Sequence, residues 1–262
     1  MGLGDQLMAT GMARGARARG RRIAFGDGRR IRWDHNSEVI FRDNPNIARP
    51  GMEGRPGIEW VDYFKGHRIY NRHDPARNRW IWNMDFRPVA GEVFLSDPER
   101  RAGARLGSGF VLIEPSTAAW KSMAANKDWG RARYQEAASR LRRDGFRVAQ
   151  FTFDKGGPPL AGVETVRTRD FRDALALLAN ASLYIGPEGG LHHGAAAMGV
   201  PAVVLFGGFI PPQVTGYSDH INLTGGAEAC GSLKPCRHCR DALAAISVDE
   251  VHSAARTKLS WT

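Results

Sequence analysis

The chain has 262 residues, of which 42% are hydrophobic and 24% are charged. These values are ordinary for a globular protein and exclude a disordered chain, and the length suffices for one large α/β domain or two small ones. The sequence contains no run of about 18 apolar residues, and its N-terminus lacks the apolar segment of a signal peptide. We therefore predict a cytoplasmic protein without a membrane-spanning helix.

The formal net charge of +10 is unevenly distributed along the chain. Residues 1–105 carry 20 Lys and Arg against 13 Asp and Glu, a net of +7, whereas the remainder carries 17 against 14, a net of +3. An anionic partner of the N-terminal part would explain this excess, whether a phosphorylated lipid, an acidic glycan or a nucleic acid. A general preference for Arg that only favours solubility explains it equally well, so both interpretations stay open.

The first 95 residues contain few regular elements. The spacing of apolar residues predicts a helix over 5–20, ending at Gly20, and a short strand over 22–25. Residues 26–95 are rich in Arg, Asn, Pro, Gly and Trp and have weak periodicity, with candidate strands at 58–61 and 67–70. We expect short elements and long loops in this part.

From residue 96 onwards, predicted strands and helices alternate. The helices are expected over 97–106, 129–144, 170–180, 191–198 and 249–259, and the strands over 110–114, 146–153, 182–185 and 202–206. In the helix over 129–144, Tyr134, Ala137, Ala138 and Leu141 should face the core. Such alternation is typical of a parallel, doubly wound sheet. We therefore predict an α/β protein with parts at 1–95 and 96–262.

The segment from Tyr184 to Ala197 is the strongest candidate for a ligand site. A buried strand ends at Ile185, a glycine-rich turn follows, and a helix of small residues begins. The free N–H groups at the start of such a helix can bind a diphosphate. Glu188 stands at the mouth of the turn, where its carboxylate could accept hydrogen bonds from ribose hydroxyls. An ordinary strand–helix turn is the alternative.

Two further segments carry candidate site residues. Gly2 to Thr10 places Asp5 at the start of a helix, where it either caps the helix or acts as a base towards an acceptor hydroxyl. Ser116 and Thr117 follow a predicted strand, and Lys127 is near enough to neutralise a leaving diphosphate. The sequence has no Asp-x-Asp pair of the kind that holds a diphosphate through a divalent metal. Helix N-termini and cationic side chains are therefore expected to do so.

The three cysteines, Cys230, Cys236 and Cys239, lie close together in the sequence and do not form a disulfide framework. Their spacing suits zinc, although a fourth ligand is not evident because His238 lies directly beside Cys239. Reduced thiols or a redox pair are the alternatives, and we assign no metal to the site residues.

Taken together, these segments resemble glycosyltransferase family 9, the heptosyltransferase-like family. The residues that carry the resemblance are Gly4-Asp5 with Leu7, Ala9 and Thr10, Glu114-Pro115-Ser116 with Lys127 and Trp129, the block Gly186–Pro201 continued by Phe206-Gly207 and Pro211, and Cys236 and Cys239 ahead of Ile246-Ser247-Val248. Their order and spacing match over most of the chain, and the block from Gly186 to Gly207 is the most specific. Residues 26–95 contribute little.

The resemblance implies a GT-B fold, in which two Rossmann-type domains face a cleft and the C-terminal one binds a nucleotide sugar. It implies Asp5 as the general base and Lys127 with Ser116 or Thr117 as phosphate contacts. The remaining donor-binding positions fall on Glu188, Gly189, Gly190, Leu191 and His193. The family's transferases are inverting and require no metal or other cofactor, and by analogy the acceptor is a lipopolysaccharide or another surface glycan. A peripheral position on the inner membrane is left open.

Three departures from the family pattern are visible. Glu188-Gly189 stands where the family usually has Asp-Thr or Asp-Ser, which removes a hydroxyl. The Gly-Asp loop follows Met1 directly, so either an upstream strand is missing or the first sheet is built differently. The chain is also short for the family, and we therefore expect a reduced N-terminal acceptor domain.

Other functions remain compatible with the sequence. One is sugar transfer to nucleic acid, such as a modified base of phage DNA, with stacking on the aromatic side chains Trp33, Trp60, Tyr63, Tyr70, Trp80 and Trp82. Such side chains are more often simply part of the core. A nucleotide-binding module without turnover is a second alternative, and a zinc-stabilised nucleic-acid-binding protein is a third.

Overall fold

The computed structural model describes residues 1–115, 123–154 and 157–260. Within these ranges the α-helices are α1 (Leu3–Ala18), α2 (His35–Phe41), α3 (Asp97–Gly103), α4 (Arg131–Arg143), α5 (Phe171–Leu178), α6 (Gly190–Met198), α7 (Pro212–Thr215), α8 (Arg237–Ala245) and α9 (Val248–Leu259). The strands are β1 (Arg22–Phe25), β2 (Ile58–Val61), β3 (Asn71–Asp74), β4 (Arg79–Trp82), β5 (Phe110–Ile113), β6 (Val148–Thr152), β7 (Glu164–Arg167), β8 (Ala181–Pro187), β9 (Ala202–Leu205) and β10 (His220–Leu223). Single 3₁₀ turns lie at Ala104–Leu106 and Ala124–Lys127.

The largest sheet contains six parallel strands in the order β10-β9-β8-β5-β6-β7. Chain order runs outwards from β5 in one direction and from β8 in the other, so the sheet is doubly wound as predicted. Ile113 of β5 is in register with Ile185 of β8, which places the ends of both strands side by side. Ligands of such sheets bind at the carboxyl ends of the strands where the winding reverses.

Alternating side chains of the central strand supply the cores on both faces of this sheet. Phe110 and Leu112 pack into one cluster, whereas Val111 and Ile113 pack into the other. All four are almost completely buried, and each such side chain contributes roughly 1.5–3 kcal/mol to folding. The predicted inward face of α4 is confirmed, because Tyr134, Ala137, Ala138 and Leu141 are all buried in the second cluster.

Residues 26–95 form short elements, as expected, and the helix predicted ahead of them is α1, which has 16 residues. β1 and β2 pair in parallel, β3 and β4 form an antiparallel hairpin, and α1 packs against α6. The core cluster on one face of the large sheet continues into this part through side chains such as Leu7 and Phe25. The division at residue 95 stays a prediction.

The predicted strand over 67–70 was wrong. His67 makes an isolated bridge to Phe64, and the strand begins only at Asn71, which pairs with Trp82. Two side chains of this segment, Arg68 and Tyr70, bond to Asp5. Among the helices that the structure describes, none is long and apolar enough to cross a membrane.

Candidate active site

A cavity of about 790 Å³ opens where the large sheet reverses its winding, at the carboxyl ends of β5 and β8. It brings together most of the residues singled out from the sequence, namely Asp5, Lys127, Glu188, Gly189, Gly190, Leu191 and His193. Ser116 and Thr117 lie outside the described residues. The N-terminal end of α1 forms one wall of the cavity, and the N-terminal end of α6 forms another.

The turn between β8 and α6 presents backbone N–H groups to the cavity. β8 ends at Pro187, Gly189 is the N-cap and α6 begins at Gly190. The first N–H groups of a helix lack partners within the helix, and the helix dipole adds partial positive charge there. A side chain at Gly190 would begin 3.3 Å from the ring of Phe171, so only a small residue fits without displacing that ring. This end of α6 can bind an anion.

Lys127 and Glu188 form an ion pair at the edge of the cavity. The ammonium group also donates to the backbone oxygen of Glu188 at 3.3 Å and lies 5.2 Å from the centre of the Phe209 ring. Glu188 is only 6% exposed. Burial alone would raise the pKa of its carboxyl, but Lys127 and His193 outweigh burial and hold the pKa well below its usual range. The site thus contains an ionised Glu188 carboxylate paired with the Lys127 ammonium group.

His193 connects this ion pair to the rest of the site. Its Nε2 lies 3.3 Å from Glu188 Oε1, and its Nδ1 shares a hydrogen bond of 2.8 Å with the hydroxyl of Tyr217. Behind it, His192 is fully buried, and neither of its ring nitrogens has a hydrogen-bond partner among the described residues. Burial, followed by the neighbouring His193, lowers the pKa of His192 well below its ordinary value. His192 is therefore a neutral part of the core.

Asp5 both caps α1 and lines the cavity, so its capping role is observed, whereas its role as a base stays a prediction. Its Oδ2 accepts from the backbone N–H of Gly2 at 2.8 Å and from Arg68 at 3.2 Å, while Oδ1 accepts from the hydroxyl of Tyr70 at 2.5 Å. The side chain is 8% exposed. These donors fix the carboxylate in place at the cavity wall.

The first turn of α1, which carries Asp5, lies directly against α6. A Cβ atom on Gly4 would come within 2.7 Å of Cδ2 of His193, which is closer than side chains tolerate. Glycine at this position therefore allows the first turn of α1 and the start of α6 to meet. The close approach joins the two walls of the cavity.

The third wall is aromatic and comes from the β3–β4 hairpin. Trp80 and Trp82 both line the cavity, with the guanidinium of Arg68 5.3 Å from the Trp80 ring. Of the other aromatic candidates, Tyr63 is buried in the core, whereas Tyr70 is buried but also lines the cavity. The hairpin thus supplies the flat apolar surface on which a ring could pack.

Sequence reasoning missed two residues of this site, Arg68 and Tyr217, and it considered Tyr70 only as a stacking surface or as core. Residues 68–70 form no strand, so no periodicity marks Arg68 as a partner of Asp5. Tyr217 has no local signal either, because its contact with His193 depends on the tertiary fold alone.

The three cysteines form a separate cluster beside the active-site cavity. Their Sγ atoms lie 3.2, 3.3 and 3.8 Å from one another. A hydrogen bond from Cys239 lowers the pKa of the Cys230 thiol to about 5, and that interaction and burial raise the pKa of Cys239. Cys236 also donates its backbone N–H to Asn126 at 2.9 Å, directly beside Lys127. His238 bonds instead to the backbone oxygen of Glu228 at 2.7 Å.

The model of glycosyltransferase family 9 (heptosyltransferase) matches residues 76–245. The chain belongs to this family. The match spans β4 of the hairpin, the ion pair, the glycine-rich turn and the cysteine cluster, and it leaves out Asp5 and β3. No curated protein matches the sequence.

The chain is similar to several solved structures, of which TibC supports the same fold. The iron-containing dodecameric glycosyltransferase TibC from enterotoxigenic Escherichia coli H10407 aligns with a TM-score of 0.64 at 17% identity, over 98% of this chain and 76% of that one. The E. coli ADP-heptose lipopolysaccharide heptosyltransferase II aligns with a TM-score of 0.48 at 17% identity, over 69% of this chain and 54% of that one. A glycosyltransferase of family 9 from Veillonella parvula aligns with a TM-score of 0.48 at 16% identity, over 66% of this chain and 55% of that one.

This chain thus has an α/β fold built on a six-stranded parallel sheet, like the GT-B-like TibC, whereas its division into two domains stays a prediction. The chain spans about half the length of the heptosyltransferase II and Veillonella structures that it matches. The predicted family and fold class are both confirmed.

Proposed function

We propose that this chain transfers a sugar from a nucleotide-sugar donor to an acceptor hydroxyl, with inversion at the anomeric carbon. The observation that carries the proposal is the placement of Asp5 and Lys127 on one cavity, at the point where the parallel sheet reverses its winding. A base and a cation on the walls of one cleft are what a direct displacement needs.

In the proposed step, Asp5 accepts the proton of the acceptor hydroxyl. The hydroxyl oxygen forms a bond to the anomeric carbon, and the bond from that carbon to the diphosphate breaks on the opposite face. The leaving diphosphate takes the electron pair and is stabilised by Lys127 and by the N–H groups at the start of α6. Removal of one such stabilising donor typically costs on the order of 10²–10³ in rate, and the base contributes roughly 10²–10⁴.

ADP-heptose is the first donor to test. The solved structures similar to this chain include TibC with ADP-D-beta-D-heptose and E. coli WaaC with ADP. In this chain, Glu188 and His193 would face the sugar and the phosphates, while Phe171 lies beside the start of α6. We propose a surface glycan as the acceptor, with a peripheral position at a cytoplasmic membrane face.

The transfer step is proposed to need no metal, because Lys127 supplies a cation where a metal would otherwise bind the diphosphate. The relative TibC is described as iron-containing, and the cysteine cluster of this chain fits a thiophilic ion. Three sulfur atoms within 3.8 Å of one another can share one ion, and thiolates are preferred ligands of zinc and iron. We propose that Cys230, Cys236 and Cys239 would hold it as a structural site.

The proposal is tested by donor binding and turnover measured separately. In a thermal-shift screen of ADP, UDP, GDP and CDP with their sugars, a ligand at 100 times its dissociation constant should stabilise the fold by about 2.7 kcal/mol. The Asp5→Asn variant should then bind ADP normally, yet lose roughly 10²–10⁴ in transfer or in slow donor hydrolysis. Asp97→Asn, which changes an acidic residue in the first turn of α3, is the matched control.

Two results would contradict this function. Near-normal turnover of Asp5→Asn would remove Asp5 from the role of base. The absence of any shift with all four nucleotides would favour a module that binds nucleic acid instead, whose affinity for DNA would fall steeply with salt.

A further inference from the structure

Among the described residues, three hydrogen-bond donors hold the carboxylate of Asp5. Its Oδ2 accepts from the backbone N–H of Gly2 at 2.8 Å and from Nη2 of Arg68 at 3.2 Å, and its Oδ1 accepts from the hydroxyl of Tyr70 at 2.5 Å. An ionised carboxylate offers about four lone-pair sites, divided equally between its two oxygens. These donors therefore fill the sites on Oδ2, whereas Oδ1 keeps one site for a further donor.

Tyr70 and Arg68 can act only as donors towards this carboxylate. Tyr70 is buried, and burial followed by the charge of Asp5 raises the pKa of its hydroxyl well above the ordinary value, so the hydroxyl stays protonated. The guanidinium of Arg68 is cationic at any working pH and has no acceptor atom. The direction of both hydrogen bonds is thus fixed, with Asp5 as the acceptor.

The segment that carries these two donors is anchored at the end of the β3–β4 hairpin. Asn83 donates its backbone N–H to the oxygen of Tyr70 and its side-chain Nδ2 to the oxygen of Ile69, each at 2.9 Å. The guanidinium of Arg68 also lies 5.3 Å from the centre of the Trp80 ring in the same hairpin. The hairpin therefore holds the two donors in place, and the donors hold the carboxylate.

The two donors line the active-site cavity together with Asp5. All three residues lie ahead of residue 76, where the match to the family model begins, so that match gives the donors no role. Their side chains come from a part of the chain in which the sequence shows little periodicity. What they share is the contact with one carboxylate.

We propose that Tyr70 and Arg68 are positioning residues for the proposed base and leave Oδ1 of Asp5 as the atom that receives the acceptor proton. This inference rests on the proposed function, because it concerns the base of the same reaction. In the step, the O–H bond of the acceptor breaks and its proton passes to Oδ1. The acceptor oxygen bonds to the anomeric carbon, and the diphosphate leaves with the electron pair of the bond that breaks. Without its donors the carboxylate can turn, and Oδ1 then moves away from the hydroxyl.

Tyr63 supplies a matched control beside the same residue. Its hydroxyl donates to the backbone oxygen of Asp5 at 3.0 Å, whereas that of Tyr70 donates to the carboxylate. Both tyrosines are buried, and a change to Phe removes one hydroxyl from each at nearly constant volume. A merely structural role would affect both variants alike, whereas a positioning role affects Tyr70→Phe alone.

The test measures release of the nucleoside diphosphate from the nucleotide sugar that the thermal-shift screen selects, ADP-heptose first, with water as the attacking hydroxyl. Tyr70→Phe and Arg68→Met should each lower kcat roughly 10- to 100-fold, because the base is misplaced. The KM for the donor and the affinity for ADP should not change, and Tyr63→Phe should keep the kcat of the unmodified protein. In the Asp5→Asn background, Tyr70→Phe and Arg68→Met should cost nothing further, because both act through the carboxylate.

Three results would overturn this proposal alone, while Asp5→Asn is slow as expected. They are equal kcat of Tyr70→Phe and Tyr63→Phe, a raised KM with unchanged kcat, and a further loss in the Asp5→Asn background, which would mean that the donors contact the substrate themselves. Near-normal turnover of Asp5→Asn, or no release from any nucleotide sugar by the unmodified protein, would instead overturn the proposal together with the proposed function.

Discussion

Lys127 and Glu188, which are 61 positions apart in the chain, form an ion pair at the mouth of the cleft. The ammonium group proposed to receive the leaving diphosphate is therefore already neutralised by a buried carboxylate before the donor binds. Because the pKa of Glu188 is held well below its usual range, this carboxylate stays ionised at neutral pH. An incoming diphosphate must compete with Glu188 for Lys127.

Variants at the two positions should therefore change ADP binding in opposite directions. Glu188→Gln removes the competing charge at nearly constant shape, so the dissociation constant for ADP should fall about fivefold. Lys127→Met should raise it roughly 10- to 100-fold, because a charge-assisted contact is lost. Isothermal titration with ADP measures both, and Glu228→Gln, at an exposed site, is the control. Weaker ADP binding by Glu188→Gln would show that the carboxylate does not compete.

Parts of this site follow from local sequence pattern, and parts do not. The strand that ends before Glu188 and the glycine-rich start of α6 were predictable, because a buried apolar run and a glycine turn are visible in a few consecutive residues. The pairing of Glu188 with Lys127 was not, since it depends on how two distant loops meet at the sheet edge.

Some secondary-structure elements were not predicted from the sequence, for similar physical reasons. β7 is an edge strand with mostly exposed polar side chains, and α8 contains four charged or polar residues at its start, so neither has a long apolar run. The β3–β4 hairpin was also not predicted, because neither strand shows a regular alternation of buried and exposed side chains. The four inner strands of the large sheet, β5, β6, β8 and β9, were predicted to within a few residues, whereas β10 at its other edge was not.

Gly4→Ala should impair the site without touching a charged group. The added Cβ would begin 2.7 Å from the His193 ring, so either that ring or the first turn of α1, which carries Asp5, must shift. Displacements of about 1 Å at a reacting centre cost about 10²-fold in rate, and we expect a loss of this order in turnover. Gly54→Ala, where an added Cβ meets nothing within 4 Å, is the control. Equal kinetics of the two variants would show that the close approach is unimportant.

Stability should fall as the pH drops below about 6.5, the ordinary histidine value. Burial lowers the pKa of His192 well below this value, and it lowers the pKa of His220 to about 4. Below about pH 6.5 these two histidines are therefore protonated in the unfolded chain but not in the folded chain. Each of them lowers the free energy of unfolding by up to about 1.4 kcal/mol per pH unit. The loss continues down to the folded pKa.

Urea unfolding at pH 7, 6 and 5 measures this slope. His192→Phe removes one titrating group from a pocket shared with Phe206 and Tyr217, and it should reduce the slope by about half. His35→Gln, at an exposed histidine, should leave the slope unchanged. A free energy of unfolding that is constant between pH 7 and 5 would contradict the neutral, buried state of His192.

The cysteine cluster should hold about one thiophilic ion per chain when the protein is purified without chelators. Removing the ion leaves three thiols crowded within 3.8 Å, and it releases a loop that is bonded to Asn126 through the backbone of Cys236. Because Asn126 directly precedes Lys127, chelation or Cys236→Ser should lower the melting temperature and also weaken ADP binding several-fold. Metal analysis and ADP titration measure the two effects, with Ser253→Ala in α9 as the control. The prediction is contradicted if the purified protein contains no ion and if neither chelation nor Cys236→Ser changes its melting temperature or its ADP affinity. The cluster would then be a set of reduced thiols that does not affect the active site.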